Sequence, residues 1–143
     1  MTSVSEIAAF KIAPCYEGFA ALPSRSATTG LLILSEMFGV TPAMQDAARA
    51  FARAGIAALV PNIFRRSAVT GVLGYEGQDR ERAQDRVDAL DPAAVCEDVD
   101  LATKAFQTHI PTIRRVAALG HCIGGTFAVT ALCRTDLAAA KED

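Results

Sequence analysis

The hexapeptide Gly120-His121-Cys122-Ile123-Gly124-Gly125 is the part of the chain best suited to covalent chemistry. It follows the pattern glycine, any residue, nucleophile, any residue, glycine, with cysteine in the nucleophile's place. A strand-to-helix corner of this kind holds its central residue in a strained conformation, and Gly120 and Gly124 remove Cβ atoms that would collide with neighbouring backbone. The same corner sets Cys122 at the start of the next helix, where unpaired N–H groups and the positive dipole end favour thiolate and can stabilise an oxyanion. The plainer alternative is a buried structural cysteine beside a glycine-rich helix start, and the strand, turn and helix around it favour the nucleophile. Glu36 is the second such residue. It follows an apolar run, where a carboxylate is costly unless it meets solvent, a partner or a site. A solvated loop carboxylate is its plainer alternative.

Positioning these two groups is the task of the surrounding elements. Leu31-Leu32-Ile33-Leu34 is a short continuous apolar run, as in a parallel strand buried on both faces. Thr41 and Pro42 suit the cap and first position of a helix, with Met44, Ala47, Ala48, Phe51 and Ala52 at helical spacing until Gly55. Ile56 to Val60 repeats the buried-strand pattern, so the helix at 42–54 is a crossover between parallel strands, expected to be right-handed. Tyr16 to Leu22 reads as an edge strand, 62–74 as a loop and the charge-rich stretch Glu76 to Leu90 as an exposed helix. Asp91-Pro92 starts another helix, with Val95, Val99, Ala102 and Phe106 on one face, which stops before Pro111. Val116 to Leu119 is a third buried strand running into the hexapeptide, and the helix after it carries Phe127, Ala131 and Leu132. With the 31–35 strand flanked by 56–60 on one side and 115–119 on the other, Glu36 and Cys122 become neighbours. Both then stand at the carboxyl ends of strands, where open parallel sheets bind ligands.

Composition narrows the classes of function. A chain of 143 residues, 51% hydrophobic and 21% charged, is too apolar for disorder and suits a single domain, 1–143. It lacks any run of about 20 apolar residues, so no membrane association is expected. Fourteen basic against sixteen acidic residues, a net charge of −2, make nucleic acid an unsuitable partner. The cysteines at 15, 96, 122 and 133 have neither zinc-site spacing nor the density of a disulfide scaffold, so free thiols, no metal and no cofactor are expected. Met1 to Phe10 lacks the basic start and apolar stretch of a signal peptide, which makes the expected location cytoplasmic.

Ser35-Glu36-Met37-Phe38-Gly39-Val40 resembles the Glu-x-Phe-Gly-Val segment of the dienelactone hydrolases (carboxymethylenebutenolidase-like), and the Gly-x-Cys-x-Gly-Gly corner is similar to theirs. The resemblance covers about residues 30–130 and takes in Gln78 to Leu90 and Asp91 to Asp98. It implies an α/β fold, a mostly parallel sheet of α/β-hydrolase type, and hydrolysis of a small ester or lactone such as a cyclic enol ester. Carried over by position, the resemblance makes Cys122 the nucleophile and Glu36 the carboxylate that contacts and helps activate its thiol. Arg80 becomes the group that binds the substrate carboxylate, with Arg82 and Arg86 close by in sequence. A guanidinium suits that role because it pairs bidentately with carboxylate. The oxyanion hole comes from the backbone N–H groups of Met37 and Ile123.

The chain departs from the family pattern in two places. Gln84 stands where a tyrosine is common, and the chain stops at Asp143, before the family's triad acid and histidine. His121 and His109 are poor substitutes: one should point away from Cys122, and the other belongs at the wrong end of the 115–119 strand. The expectation is a fold whose carboxy-terminal part is missing, with weak or absent turnover and stoichiometric acylation of Cys122. The far edge of the 115–119 strand is expected to be open, which favours self-association through that edge. Two other readings are a noncatalytic or regulatory α/β module acting beside a complete enzyme and a redox-responsive thiol protein. The Glu-Met-Phe-Gly-Val segment argues against the second.

Overall fold

A computed structural model describes residues 3–120 and the backbone of 139–142. Cys122, Ile123, Gly124 and His121, with the expected helix bearing Phe127, Ala131 and Leu132, lie outside the described residues. The elements run β1 (Val4–Ala13), β2 (Tyr16–Pro23), β3 (Thr29–Leu34), α1 (Pro42–Arg53), β4 (Ala57–Pro61), α2 (Gly77–Asp88), α3 (Pro92–His109), β5 (Arg115–Gly120) and β6 (Ala139–Glu142).

The strands form one sheet in the order β1-β2-β4-β3-β5-β6. β2 is antiparallel to both β1 and β4, whereas the β4-β3, β3-β5 and β5-β6 pairs are parallel. The three predicted inner strands are where their apolar runs place them, because each has a hydrophobic layer on both faces. Leu31 and Ile33 of β3 pack with Met44, Ala48 and Ala52 of α1. Leu32 and Leu34 pack with Val95, Val99 and Phe106 of α3 on the opposite face. Successive side chains of a strand point to opposite faces, so a strand covered twice must be apolar throughout.

The helices begin as their caps dictate. Thr41 Oγ1 accepts a hydrogen bond from the Met44 N–H at 3.3 Å, and Asp91 Oδ1 accepts one from the Ala93 N–H at 3.1 Å. Proline follows each cap, where its missing N–H costs nothing. Gly55 takes φ +93° just beyond α1, a conformation that favours glycine. Among the described residues, no helix is long and apolar enough to cross a membrane.

Two sequence expectations are corrected. Tyr16 to Leu22 is not an edge strand, because β1 lies outside it. β1 is largely solvent-facing, and its pairing with β2 shifts register between Ile7 and Phe10 and again between Lys11 and Ala13. Such irregularities break the alternation by which a half-exposed strand is recognised. The edge of β5 expected to be open is paired by β6, with Ala117 opposite Ala139 and Gly120 opposite Glu142. Ala139-Ala140-Lys141-Glu142 has no β-branched or aromatic residue to mark it as a strand.

Gly18 allows β2 to approach β4. A Cβ there would lie 2.6 Å from the Val60 carbonyl oxygen and 2.9 Å from Pro61 Cα, both backbone atoms. Gly18→Ala is therefore expected to destabilise the fold by about 1–3 kcal/mol, the usual cost of overpacking. Urea unfolding of the two proteins, compared at equal m-values, checks this.

Candidate active site

The site is built from the carboxyl ends of β3 and β5. Their parallel register sets Leu34 opposite Gly120, the first glycine of the elbow motif. Glu36 lies two positions beyond Leu34, and Cys122 two beyond Gly120, in sequence. Glu36 is half-buried in the connection that leaves β3.

That connection is held by hydrogen bonds at almost every step. The Gly39 N–H donates to the Glu36 carbonyl at 3.2 Å, closing a tight turn, and the Thr41 N–H donates to the Gly39 carbonyl at 2.9 Å. The Leu73 N–H donates to the Phe38 carbonyl at 3.1 Å, tying the turn to the segment before α2. Phe38 is buried against Leu73 and Ala83 and meets the Tyr75 ring edge-on at a centroid distance of 4.5 Å. Gly39 has φ +95°, a conformation that favours glycine, and a Cβ there would lie 3.0 Å from Arg86 Nη2, so a side chain would also crowd the guanidinium.

Arg86 completes this arrangement. It is 2% exposed although it belongs to the most highly charged helix among the described residues. Its Nε and Nη2 donate to the Met37 carbonyl at 3.0 and 2.8 Å, and its Nη1 donates to the Gly71 carbonyl at 2.8 Å. The guanidinium carbon stands 4.3 Å from the Phe64 ring centroid. Burial and the nearby Arg82 push its pKa down, but a guanidinium remains charged, so carbonyl dipoles and a ring face solvate this cation.

The other expected residues fall in different settings. Met37 is half-buried within the turn, and Arg80 is exposed near the start of α2. Gln84 is exposed and donates along the helix to Asp88 Oδ1 at 2.9 Å. His109 ends α3, packs edge-on against Phe10 and borders a hollow with Ala27, Ala57 and Thr112 near the amino ends of β3 and β4. Beside the turn, a cleft of about 240 Å³ is lined by Val40, Gln45, Gly71, Val72 and the Glu17-Gly18-Phe19 stretch of β2.

Sequence reasoning missed a second polar cluster. Asp98 is 1% exposed on the packed face of α3 and receives hydrogen bonds from Arg65 Nη2 at 2.8 Å and from Arg66 Nε and Nη2 at 3.1 and 3.0 Å. The Tyr16 hydroxyl donates to the Asp98 carbonyl at 3.0 Å, and the Arg65 guanidinium lies over the Tyr16 ring. Burial and the Asp98 carboxylate push the Tyr16 phenol up. Burial acts to raise the Asp98 pKa, but the two arginine hydrogen bonds outweigh it and hold the carboxyl below its ordinary value. The signal was present: Asp98 falls in the stripe Val95, Val99, Ala102, where a carboxylate needs a cationic partner. Arg86 falls likewise in the stripe of Ala83, Val87 and Leu90.

A mostly parallel sheet with helices on both faces, a charged turn after its central strand, and a neighbouring strand that leads in sequence to the glycine-rich motif defines an α/β-hydrolase-type protein. Residues 16–141 match the model of the dienelactone hydrolase family, and the chain belongs to that family. It is 28% identical over 97 residues to a Synechocystis sp. protein described as a carboxymethylenebutenolidase, covering 66% of this chain and 39% of the relative. It is also 28% identical over 102 residues to a Bradyrhizobium sp. protein described as a 2-oxo-3-(5-oxofuran-2-ylidene)propanoate lactonase, covering 71% of this chain and 39% of the relative. The chain thus spans about two fifths of the length of these relatives. Among solved structures, a Klebsiella pneumoniae protein described as a dienelactone hydrolase superposes with a TM-score of 0.78 at 18% identity, over 93% of this chain and 56% of that one. A dienelactone hydrolase from Anabaena variabilis does so with a TM-score of 0.67 at 16% identity, over 97% of this chain and 62% of that one. At these identities the superpositions speak for the fold.

Two outcomes follow from the polar groups. Because the Asp98 pKa is depressed by folding, the unfolded chain takes up the proton more readily, and the stabilisation is present above the ordinary value of 3.8 and lost as pH falls below it. Stability should therefore decline from about pH 5 downward. Asp98→Asn should lose about 1–3 kcal/mol at neutral pH, mainly by removing the carboxylate that pairs with the largely enclosed Arg65, and flatten the acid limb. Denaturant titrations at several pH values measure both. Ser35 is fully buried, and its hydroxyl has no hydrogen-bond partner among the described residues.

Proposed function

We propose that this chain supplies the nucleophile, carboxylate and oxyanion-binding turn of an ester- or lactone-hydrolysing site. The observation that carries the reading is the β3-β5 register, with Leu34 beside Gly120 at the strand ends that lead to Glu36 and to the elbow motif. Family membership supports the same chemistry. Cys122 is the proposed nucleophile, Glu36 its proton acceptor, and the N–H groups of Met37 and Ile123 the oxyanion donors, with Gly120 and Gly124 shaping the elbow.

The thiol gives its proton to Glu36, and the thiolate sulfur bonds to the carbonyl carbon while the carbonyl electron pair moves onto oxygen. The Met37 and Ile123 N–H groups meet the oxyanion. Its collapse breaks the ester C–O bond, the departing oxygen takes the proton held by Glu36, and an acyl thioester is left on Cys122. In a lactone, the released oxygen stays tethered to the acyl group. Water then attacks the thioester, giving a carboxylic acid and restoring the thiol. Arg80, exposed at the start of α2, is the proposed partner for a carboxylate on the substrate, and the cleft bordered by Val40 and Val72 offers room for a small acyl group. Deacylation is proposed to be the slow step, so that the acyl-enzyme accumulates.

Intact-mass measurement after exposure to p-nitrophenyl acetate tests this. One acetyl group per chain is expected on Cys122, none on the Cys122→Ala protein, and acylation slowed about a hundredfold by Glu36→Gln, the low end of what a general base contributes. Rapid multiple turnover by Cys122→Ala would remove the assigned nucleophile.

A further inference from the structure

The guanidinium of Arg86 is spent on backbone carbonyls of two segments distant from it in sequence, and one of those carbonyls is Met37's. A peptide unit is planar and trans, so the carbonyl of one residue and the N–H of the next point in opposite directions in one plane. The Glu36 carbonyl accepts from the Gly39 N–H, which fixes the plane that contains the Met37 N–H and turns that N–H away from the inside of the turn. The following plane contains the Met37 carbonyl, which Arg86 grips with two hydrogen bonds. Both peptide planes flanking the Met37 Cα are thereby pinned, and with them both of its soft dihedrals.

The opposite side of the guanidinium secures the support. Nη1 donates to Gly71 at 2.8 Å and reaches Val69 at 3.4 Å, so the 69–71 backbone is braced against the 36–39 turn through one planar group. Lysine cannot replace it, since a single ammonium lacks the two-sided fork that reaches Met37 and Gly71 together. A Cβ at Gly39 would lie 3.0 Å from Nη2, so a side chain there would crowd the guanidinium.

We propose that Arg86 is a positioning residue for acyl transfer: through the Met37 carbonyl it holds the Met37 N–H at the orientation required to receive the oxyanion. The inference rests on the hydrolase reading above, and it concerns a residue that contacts no substrate. Its effect is confined to steps that build negative charge on a carbonyl oxygen. Attack on a carbonyl does so, whereas alkylation of the same thiol at a saturated carbon does not.

That difference sets the experiment. The full chain and its Arg86→Lys variant are each treated with p-nitrophenyl acetate at several concentrations and, separately, with iodoacetamide. Modification of Cys122 is followed by peptide mass, and folding is checked by circular dichroism. The variant should acylate at least about tenfold more slowly at saturating ester, a fraction of the 10²–10³ lost when an oxyanion donor is removed outright. Its half-saturating ester concentration and its alkylation rate should match the wild type. Arg86→Gln, which keeps an amide donor but loses the two-sided fork, should show the same split and serves if the lysine variant does not fold. Equal acylation rates, or acylation and alkylation slowed by the same factor, would overturn the positioning role while leaving the hydrolase reading intact. A wild-type chain that is alkylated but never acylated at Cys122 would overturn that reading and this inference with it.

Discussion

The parallel pairing of β3 with β5 is the constraint on which the rest of the arrangement depends. Both strands are covered on two faces, so a slip of one residue would reverse the side chains between α1 and α3. Leu31 and Ile33 fit against the small residues Ala48 and Ala52, while Leu32 and Leu34 fit against the larger Val99 and Phe106. The two layers therefore differ in shape, and only one register satisfies both. The position of Leu34 beside Gly120 follows from this packing rather than from any interaction at the strand ends. The core thus brings together the two chain positions from which the site departs.

A sheet can set where a chain leaves a strand, but it cannot orient the peptide groups beyond. That work falls to buried charges. Arg86 and Asp98 are both nearly inaccessible, and each would be costly if left unsolvated. Asp98 is offset by two guanidinium groups, and Arg86 by carbonyl oxygens and the face of Phe64. The two solutions serve different geometries. An ion pair joins side chains, and at Asp98 it attaches the Arg65-Arg66 segment to α3. A cation on carbonyls grips backbone, and at Arg86 it holds the turn that follows β3.

Much of this was legible in the sequence, and the reason differs from element to element. The β3-α1-β4 unit was readable because Leu31 to Leu34, Thr41-Pro42, Gly55 and Ile56 to Val60 each express one local rule, and the rules agree. α3 was readable for the same reason, from Asp91-Pro92 and its apolar face. β1 was not, since its shifts in register mix its inward and outward residues. β6 was not, since four residues of mixed character take their strand geometry from β5 alongside. At the site, Glu36, Met37 and Gly39 stood out through their motif. Arg86 was hidden among Arg80 and Arg82: charge on a helix marks an exposed face by default, and only its phase relative to Ala83, Val87 and Leu90 distinguishes it. The structure separates these arginines by burial, with Arg80 exposed and Arg86 enclosed.

The dependence of the turn on distant segments has a further consequence for how the site can be disturbed. The Met37 carbonyl is held by a residue 49 positions away, and Phe38 by Leu73 and Ala83. The 36–39 turn, the 69–75 segment and α2 therefore form one cooperative patch, whose loosening at any point frees the others. A substitution on α2 that leaves the sheet untouched can consequently act on the turn, whereas one on the α1 face of β4 acts on the register and hence on both strand ends together. The two kinds of change should differ in kind as well as size. Loosening the patch spares the spacing between strand ends and disorders the orientation of peptide groups, while a packing defect in the sheet weakens the whole fold before it alters any single angle.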